Sequence, residues 1–184
     1  MNHEAEIIRG CIKGDGRQQR RLYELYSPRM FGICLRYAQD EDDASDILQE
    51  GFIKVFTKLS EFRHEGSFEG WIRRIVVNTA INHCLKNKKH QYHYDLNDVE
   101  ELIEDEKASF DPLQVLDLLK LVRNLPPGYR TVFNLYEIEG FAHKEIAEMM
   151  GISINTSKTQ LMHARRLLQK RLIRIETIPS DEVK

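Results

Sequence analysis

The sequence contains no apolar run near the roughly 18 residues that mark a membrane-spanning helix, so direct membrane insertion is not expected. Met1 to Gly10 carries acids and lacks the apolar core of a signal peptide, which leads to the expectation of a cytoplasmic protein. Cysteine is scarce. Cys11, Cys34 and Cys84 are odd in number and lack metal-like spacing, which argues against a disulfide framework and fits reduced thiols in a cytoplasm. His83, Cys84, His90 and His93 gather in the sequence, but their spacing fits no usual zinc pattern, so no metal is expected. No Gly-rich phosphate loop, catalytic triad or catalytic carboxylate pair stands out, so neither an enzyme nor a cofactor is expected. No segment alternates apolar and polar residues long enough to argue for a sheet. Net charge is also small, at −2 over 184 residues, and the total therefore gives no hint of a partner.

The distribution of charge does. Trp71 to Tyr94 holds five Lys or Arg and no carboxylate, and Ser153 to Arg174 holds six and none. Asp40 to Glu50 holds six carboxylates without a Lys or Arg, and Asp95 to Glu106 holds seven. The near-neutral sum hides strong segregation.

Periodicity is helical nearly everywhere, so the expected fold is all-α: two small helical domains joined by an acidic linker. The expected boundaries are 1–88, a linker over 89–111, 112–174, and a tail over 175–184. A short helix from Ala5 to Lys13 should break at Gly14-Asp15-Gly16. The next should begin near Arg17, bend at Pro28 and run to about Gln39. Asp42 or Asp43 should cap a third helix with the stripe Ala44, Ile47, Leu48, Gly51, Phe52, Val55, Phe56 and Leu59. Ser67 should cap a fourth from Phe68 to about Lys86, with Ile72, Ile75, Val76 and Leu85 as its core stripe. Further helices are expected over Pro112 to Asn124 and Tyr129 to Glu139.

The strongest signal follows Gly140. An amphipathic helix ends at Gly151, and Ser153 caps a second, basic helix, which is the outline of a helix-turn-helix able to enter a DNA major groove. Ser157, Leu161, Ala164 and Leu168 should face inward, and Asn155, Lys158, Thr159, Met162, His163 and Arg166 outward. Lys and Arg there can hold phosphates, while Asn or Arg can read base edges. The bland alternative is a solvated basic helix on a generic bundle.

The segment Phe62 to Lys89 mixes Phe62, Phe68 and Trp71 with Arg63, His64, Arg73, Arg74, Lys86, Lys88 and Lys89. Aromatics among cations suit single-stranded nucleic acid, although Phe68 and Trp71 could equally be ordinary core. On the acidic third helix, Asp46, Gln49, Glu50, Ile53 and Lys54 lie off the apolar stripe. An isoleucine among carboxylates there could mark a protein interface, or be the isolated exposed apolar residue that surfaces commonly carry.

These segments, in this order, resemble the bacterial extracytoplasmic-function sigma factors, the smallest group of the sigma-70 family. The string from Asp43 to Phe56 resembles their core-polymerase-binding helix. Phe62 to Asn78 resembles their promoter-melting loop and helix, and Leu125-Pro126-Pro127 with the helix-turn-helix resembles their second domain. The resemblance implies a promoter-specificity subunit without catalysis of its own. Asp46, Gln49, Glu50, Ile53 and Lys54 would dock on the clamp helices of the largest subunit of core RNA polymerase. Phe62, Arg63, His64, Ser67, Trp71, Arg73, Arg74, Asn78, Asn82 and Lys86 would melt and capture the minus-ten strand. Lys144, Ser153, Asn155, Thr156, Lys158, Thr159, Met162, His163 and Arg166 would read the minus-thirty-five duplex. It further implies a monomer when free and an anti-sigma protein as partner, membrane-bound in many relatives.

The chain departs from the usual pattern at Ser157, where valine is usual, at Gln160 and His163, usually basic, and at Asn82, often acidic. These departures bear on which promoter is read. Two other readings have distinct requirements. A one-component duplex-binding regulator needs a dimerisation surface or ligand pocket, and a metal-dependent nucleic-acid enzyme would have to use Asp42, Asp43, Asp46 and Glu50. The connection from Asn87 to Asp111 has 25 residues. As a coil it spans about 25–30 Å, less than one DNA turn of about 34 Å, and stretched it reaches about 80 Å. Modules at separated DNA elements would require it pulled out along a track.

Overall fold

The computed structural model describes residues 3–88 and 120–177. They are helical apart from short turns, with no strand among them, as the periodicity implies. The chain divides into two compact units, Met1–Cys84 and Leu85–Lys184. The expected linker, the acidic run Asp95 to Glu106, His90, His93 and residues 178–184 lie outside the described residues. So does most of the helix expected over Pro112 to Asn124, of which 120–123 is described and helical.

In the first unit, α1 (His3–Ile12) buries Ile7, Ile8 and Cys11. The Tyr26 phenol donates to the Glu4 carboxylate at 2.6 Å and ties α1 to α2 (Gly16–Tyr37). Gly14, at φ 79°, turns the chain between them. Asp15 then caps α2 by accepting from the Arg17 N–H at 2.9 Å. α2 is one helix through Pro28 and ends at Tyr37, earlier than its pattern implies. Pro28 is exposed, so the carbonyl it leaves without a helical donor need not be buried. Burial pushes the Cys34 thiol up to about 12, which keeps it protonated.

The cap of α3 (Glu41–Lys58) corrects the sequence reading. Asp40, not Asp42 or Asp43, is the N-cap, with its carboxylate accepting from the Asp43 N–H at 2.8 Å. Asp43 returns the bond by accepting from the Gln39 N–H at 2.9 Å. This reciprocal pair satisfies two donors at the helix start, which an acid farther along could not do. The stripe Ala44, Ile47, Leu48, Gly51, Phe52 and Val55 is buried, whereas Phe56 is half-buried and Leu59 lies in a closing 3₁₀ turn. Ser67 caps α4 (Phe68–Lys88) by accepting from the Gly70 N–H at 3.1 Å. Ile72, Val76, Val77, Ala80 and Ile81 complete the core. Ile75 and Leu85, expected there, are only half-buried.

In the second unit, α5 (Pro127–Phe133) passes directly into a π-helical turn, Asn134–Ile138. Buried Arg130 donates to the Arg123 carbonyl at 2.9 Å and fastens the preceding helical stretch to α5. Next come α6 (His143–Met150) and α7 (Ile154–Thr177). α7 continues past the expected tail boundary at 175, and Arg171 donates to the Leu121 carbonyl at 3.3 Å near its end. Val132, Leu135, Ile146, Met150, Leu161 and Ala164 form the shared core.

α3 and α4 approach closely at Gly51. A Cβ there would lie 3.2 Å from Val76 Cγ2 and 3.7 Å from Val76 Cα. Gly51→Leu should therefore force α3 and α4 apart, costing about 1–3 kcal/mol. Denaturant unfolding of the full chain checks this, and an unchanged midpoint would contradict the close approach.

Candidate nucleic-acid and polymerase interfaces

Three outward faces carry the candidate site residues. On α3, Asp46 and Gln49 are exposed, and Ile53, beside buried Phe52, is 66% exposed. Glu50 and Lys54 sit differently. The Lys54 ammonium donates to Glu50 Oε1 at 2.7 Å and to the Thr79 hydroxyl at 3.3 Å. Thr79 is buried on α4 and donates in turn to the Ile75 carbonyl at 2.8 Å. Lys54 thus braces α3 against α4, a role the helix pattern could not reveal because its partner lies 25 residues away. The acidic start of α3 is braced in the same way, with Asp43 Oδ1 pairing with His83 Nε2 at 2.5 Å. Among the described residues no group of three His, Cys, Asp or Glu is placed to hold a metal ion.

The second face is the loop before α4 together with α4 itself. Phe68 is buried and meets Tyr26 edge-on at 5.6 Å, so it belongs to the core. Phe62 and Trp71 are half-buried. Phe62 lies 5.0 Å from Phe68 and 5.5 Å from Trp71, while Trp71 stacks on Phe68 at 5.7 Å. Each keeps part of its ring surface open while being anchored from below. Arg63, His64 and Ser67 are exposed. His64 adopts φ 59° with its ring 4.6 Å from Phe62. A left-handed non-glycine residue is uncommon, and the ring contact helps to hold it. Along α4, Arg74, Asn78, Asn82 and Lys86 are all exposed at four-residue spacing, and Arg73 is half-buried beside them. The stripe is about 18 Å long at 1.5 Å per residue. It offers positive charge at both ends and two amides between.

The third face is the helix-turn-helix. Gly151 at φ 64° makes the left-handed turn that ends α6, and its N–H bonds the Ala147 carbonyl. Ser153 Oγ accepts from the Thr156 N–H at 2.9 Å and starts α7. Lys144, Ser153, Asn155, Thr156, Lys158, Thr159, Met162 and Arg166 are exposed. His163 is half-buried instead, its ring stacked on Tyr129 of α5 at 5.6 Å. Of the expected inward set, Ser157, Leu161 and Ala164 are buried and Leu168 is half-buried.

Ser157 has a specific partner. Its hydroxyl lies 2.9 Å from His143 Nδ1, at the start of α6. The His143 ring stacks on Tyr136 at 4.5 Å. Arg165 lies over the same tyrosine and pairs with Glu137 at 2.6 Å. A serine and a histidine therefore pack where the usual pattern calls for an apolar residue. Tyr129 and His143 were not among the residues singled out by sequence. They contribute through contacts between elements, and helix periodicity carries no signal of such contacts.

Burial holds the His143 imidazole below its usual pKa, helped by the charges of Lys158 and Arg165. The folded state thus binds this proton less readily than the unfolded chain. Stability from His143 is full above the unfolded value of about 6.5 and is lost as pH falls through it toward the lower folded value. An NMR titration of the His143 ring should show a midpoint below 6.5, and a midpoint at or above that would contradict the packing described.

Comparison with known proteins shows which family the chain resembles. The family model for Sigma-70 region 2 matches residues 22–90, and that for Sigma-70, region 4 matches residues 116–168. The RNA polymerase sigma-H factor of Pseudomonas aeruginosa is 26% identical over 183 residues, covering 94% of this chain and 95% of that one. The ECF RNA polymerase sigma-E factor of Haemophilus influenzae is 28% identical over 177 residues, covering 90% and 93%. The sigma factor RpoE of Bartonella quintana, solved with the anti-sigma factor NepR, shares the fold at a TM-score of 0.52 and 21% identity, covering 84% of this chain and 96% of that one. Among the described residues no helix is long and apolar enough to cross a membrane.

Proposed function

The chain belongs to the extracytoplasmic-function group of the sigma-70 family, whose members direct transcription initiation, and from that premise we propose how its three outward faces divide the work. The observation that carries the reading is the exposed stripe Arg74, Asn78, Asn82 and Lys86 beside a half-open aromatic cluster. A duplex presents base edges in a groove that a helix can enter, whereas a melted strand presents base faces and Watson–Crick edges. α7 has the shape for the first task, and the loop with α4 has the chemistry for the second. The chain would bind core RNA polymerase, place α7 in the minus-thirty-five major groove, and hold the minus-ten strand on α4 once it opens. It needs no catalysis of its own, because holding the melted strand shifts the duplex toward its open state.

Asn78 is the group best suited to a flipped base, since its amide offers both a donor and an acceptor. Arg74 and Lys86 would hold flanking phosphates, and Trp71 and Phe62 offer partly exposed rings for stacking. On α3, Ile53 would desolvate against the polymerase, with Asp46 and Gln49 around it. The acidic linker would cross the polymerase interior, and an anti-sigma partner would act by covering the Ile53 face. The free chain would be a cytoplasmic monomer.

Two measurements test this division. Ile53→Ala combined with Asp46→Lys leaves the Lys54 brace intact, so helicity and melting temperature should not change. Truncating a well-buried interface residue commonly costs about 2 kcal/mol, roughly thirtyfold in affinity. The pair should therefore lose at least that factor in competition for core polymerase, and unchanged competition would remove α3 as the interface. Asn78→Ala should leave closed-complex formation nearly intact and lower the permanganate reactivity of unpaired thymines. Equal loss of both would mean that Asn78 acts in recruitment.

A further inference from the structure

The contact behind α7 is built around a group that binds a proton. His143 opens α6, and its Nδ1 atom lies 2.9 Å from the hydroxyl of Ser157, which is fully buried on α7. A hydroxyl both donates and accepts, so the neutral ring satisfies it in either tautomer. The π-helical turn supplies another side of the ring, where Tyr136 stacks within 22° of parallel. These surroundings suit the neutral ring and not the charged one. Lys158 and Arg165, both on α7, are the cations that oppose its charge. Lys144, next to it on α6, adds a third. Among the described residues no carboxylate pairs with the ring. Glu137 of the π-helical turn is engaged by Arg165 at 2.6 Å, and Glu145 of α6 accepts from the Ala142 N–H at 2.8 Å. The start of a helix itself disfavours a cation.

We propose that His143 is a proton-operated positioning residue for α7: the helix meets the upstream duplex in its working orientation only while this imidazole is neutral. The inference rests on the docking of α7 proposed above. A proton on the ring places a positive charge between α6 and the two cations of α7, in a half-buried position where it is poorly solvated. Moving the ring away from α7 relieves the repulsion and breaks the bond to Ser157. The directional contact that fixes α7 about its own axis is then gone. Successive residues of a helix point about 100° apart, so the rotation of Ser157 sets where its neighbours Lys158 and Thr159 point. An apolar contact at position 157, the usual kind, has no such dependence on pH. Every group in the network belongs to the second unit, so the sensing is confined to the module that meets the upstream duplex.

The test uses the full chain assembled with core polymerase on a promoter fragment, at fixed salt. The readout is upstream discrimination, the affinity for that fragment divided by the affinity for one whose upstream element is scrambled. The ratio cancels effects of pH on polymerase and on the minus-ten contacts. It is followed from about pH 8 to one pH unit below the midpoint of the His143 ring, located by NMR titration of the full chain. If only the neutral form docks, discrimination follows the neutral fraction and falls about tenfold at that last point. His143→Asn sets an amide close to where Nδ1 stood, keeps a partner for Ser157 and does not titrate, so its discrimination should stay level. His143→Leu combined with Ser157→Val replaces the polar pair by an apolar contact and should also stay level. Helicity and melting temperature are recorded for each variant. The other histidines are common to native and variant chains, so the comparison isolates His143. A native profile that is flat through the NMR midpoint overturns the proposal whether or not either variant folds, and leaves the docking of α7 standing. A step of native size in His143→Asn overturns it as well, since another group then titrates. If native holoenzyme shows no upstream discrimination even at high pH, the docking itself fails and this inference with it.

Discussion

The first unit depends on how closely α3 and α4 approach each other. Gly51 has no side chain because Val76 occupies the space one would fill. With the two helices this close, each spends one face entirely on the shared core and has another free. On α3 the free face is acidic around a single isoleucine, and on α4 it is a stripe of amides and cations. Opposite charges are thus kept on separate surfaces of one small unit. Lys54 reinforces the contact from α3 by reaching both Glu50 and the buried Thr79. Asp43 and His83 reinforce it near the start of α3. A load on the α3 face would be carried to α4 through these braces, one residue away from Asn78.

The second unit solves a different problem. A helix that enters a major groove must be held from behind by something small, and the left-handed turn at Gly151 brings α7 against α6. Here the contact behind α7 is polar, Ser157 to His143, with Tyr136 and Arg165 completing the cluster. A hydrogen bond has a preferred direction that an apolar contact lacks, so this pair can fix the rotation of α7 as well as its distance. On the opposite side, His163 of α7 stacks on Tyr129 of α5.

The four helices of the first unit, the helix-turn-helix with its turn glycine, the caps at Ser67 and Ser153 and most of both cores were legible in the sequence, because each follows from local spacing, whereas the π-helical turn at Asn134–Ile138 was not. The misplaced cap of α3 shows the limit. Asp40, Asp42 and Asp43 are all of a capping residue type, the pattern pointed to Asp42 or Asp43, and only backbone geometry decides for Asp40. Phe68 and Trp71 could not be separated by pattern, since adjacent turns of one helix place one ring in the core and the other at its edge. The contacts of Lys54, His143 and Tyr129 depend on partners in other elements. The outward residues themselves were readable as outward. What each does there comes from chemistry and family, not from periodicity.

Run-off transcription with purified core RNA polymerase on genomic fragments tests the central claim most directly. With the full chain added, the reaction should yield discrete transcripts whose start sites share sequence elements near minus ten and minus thirty-five. Core polymerase alone should yield none of them. Transcripts that are unchanged by the chain, or start sites with no shared upstream sequence, would contradict the account.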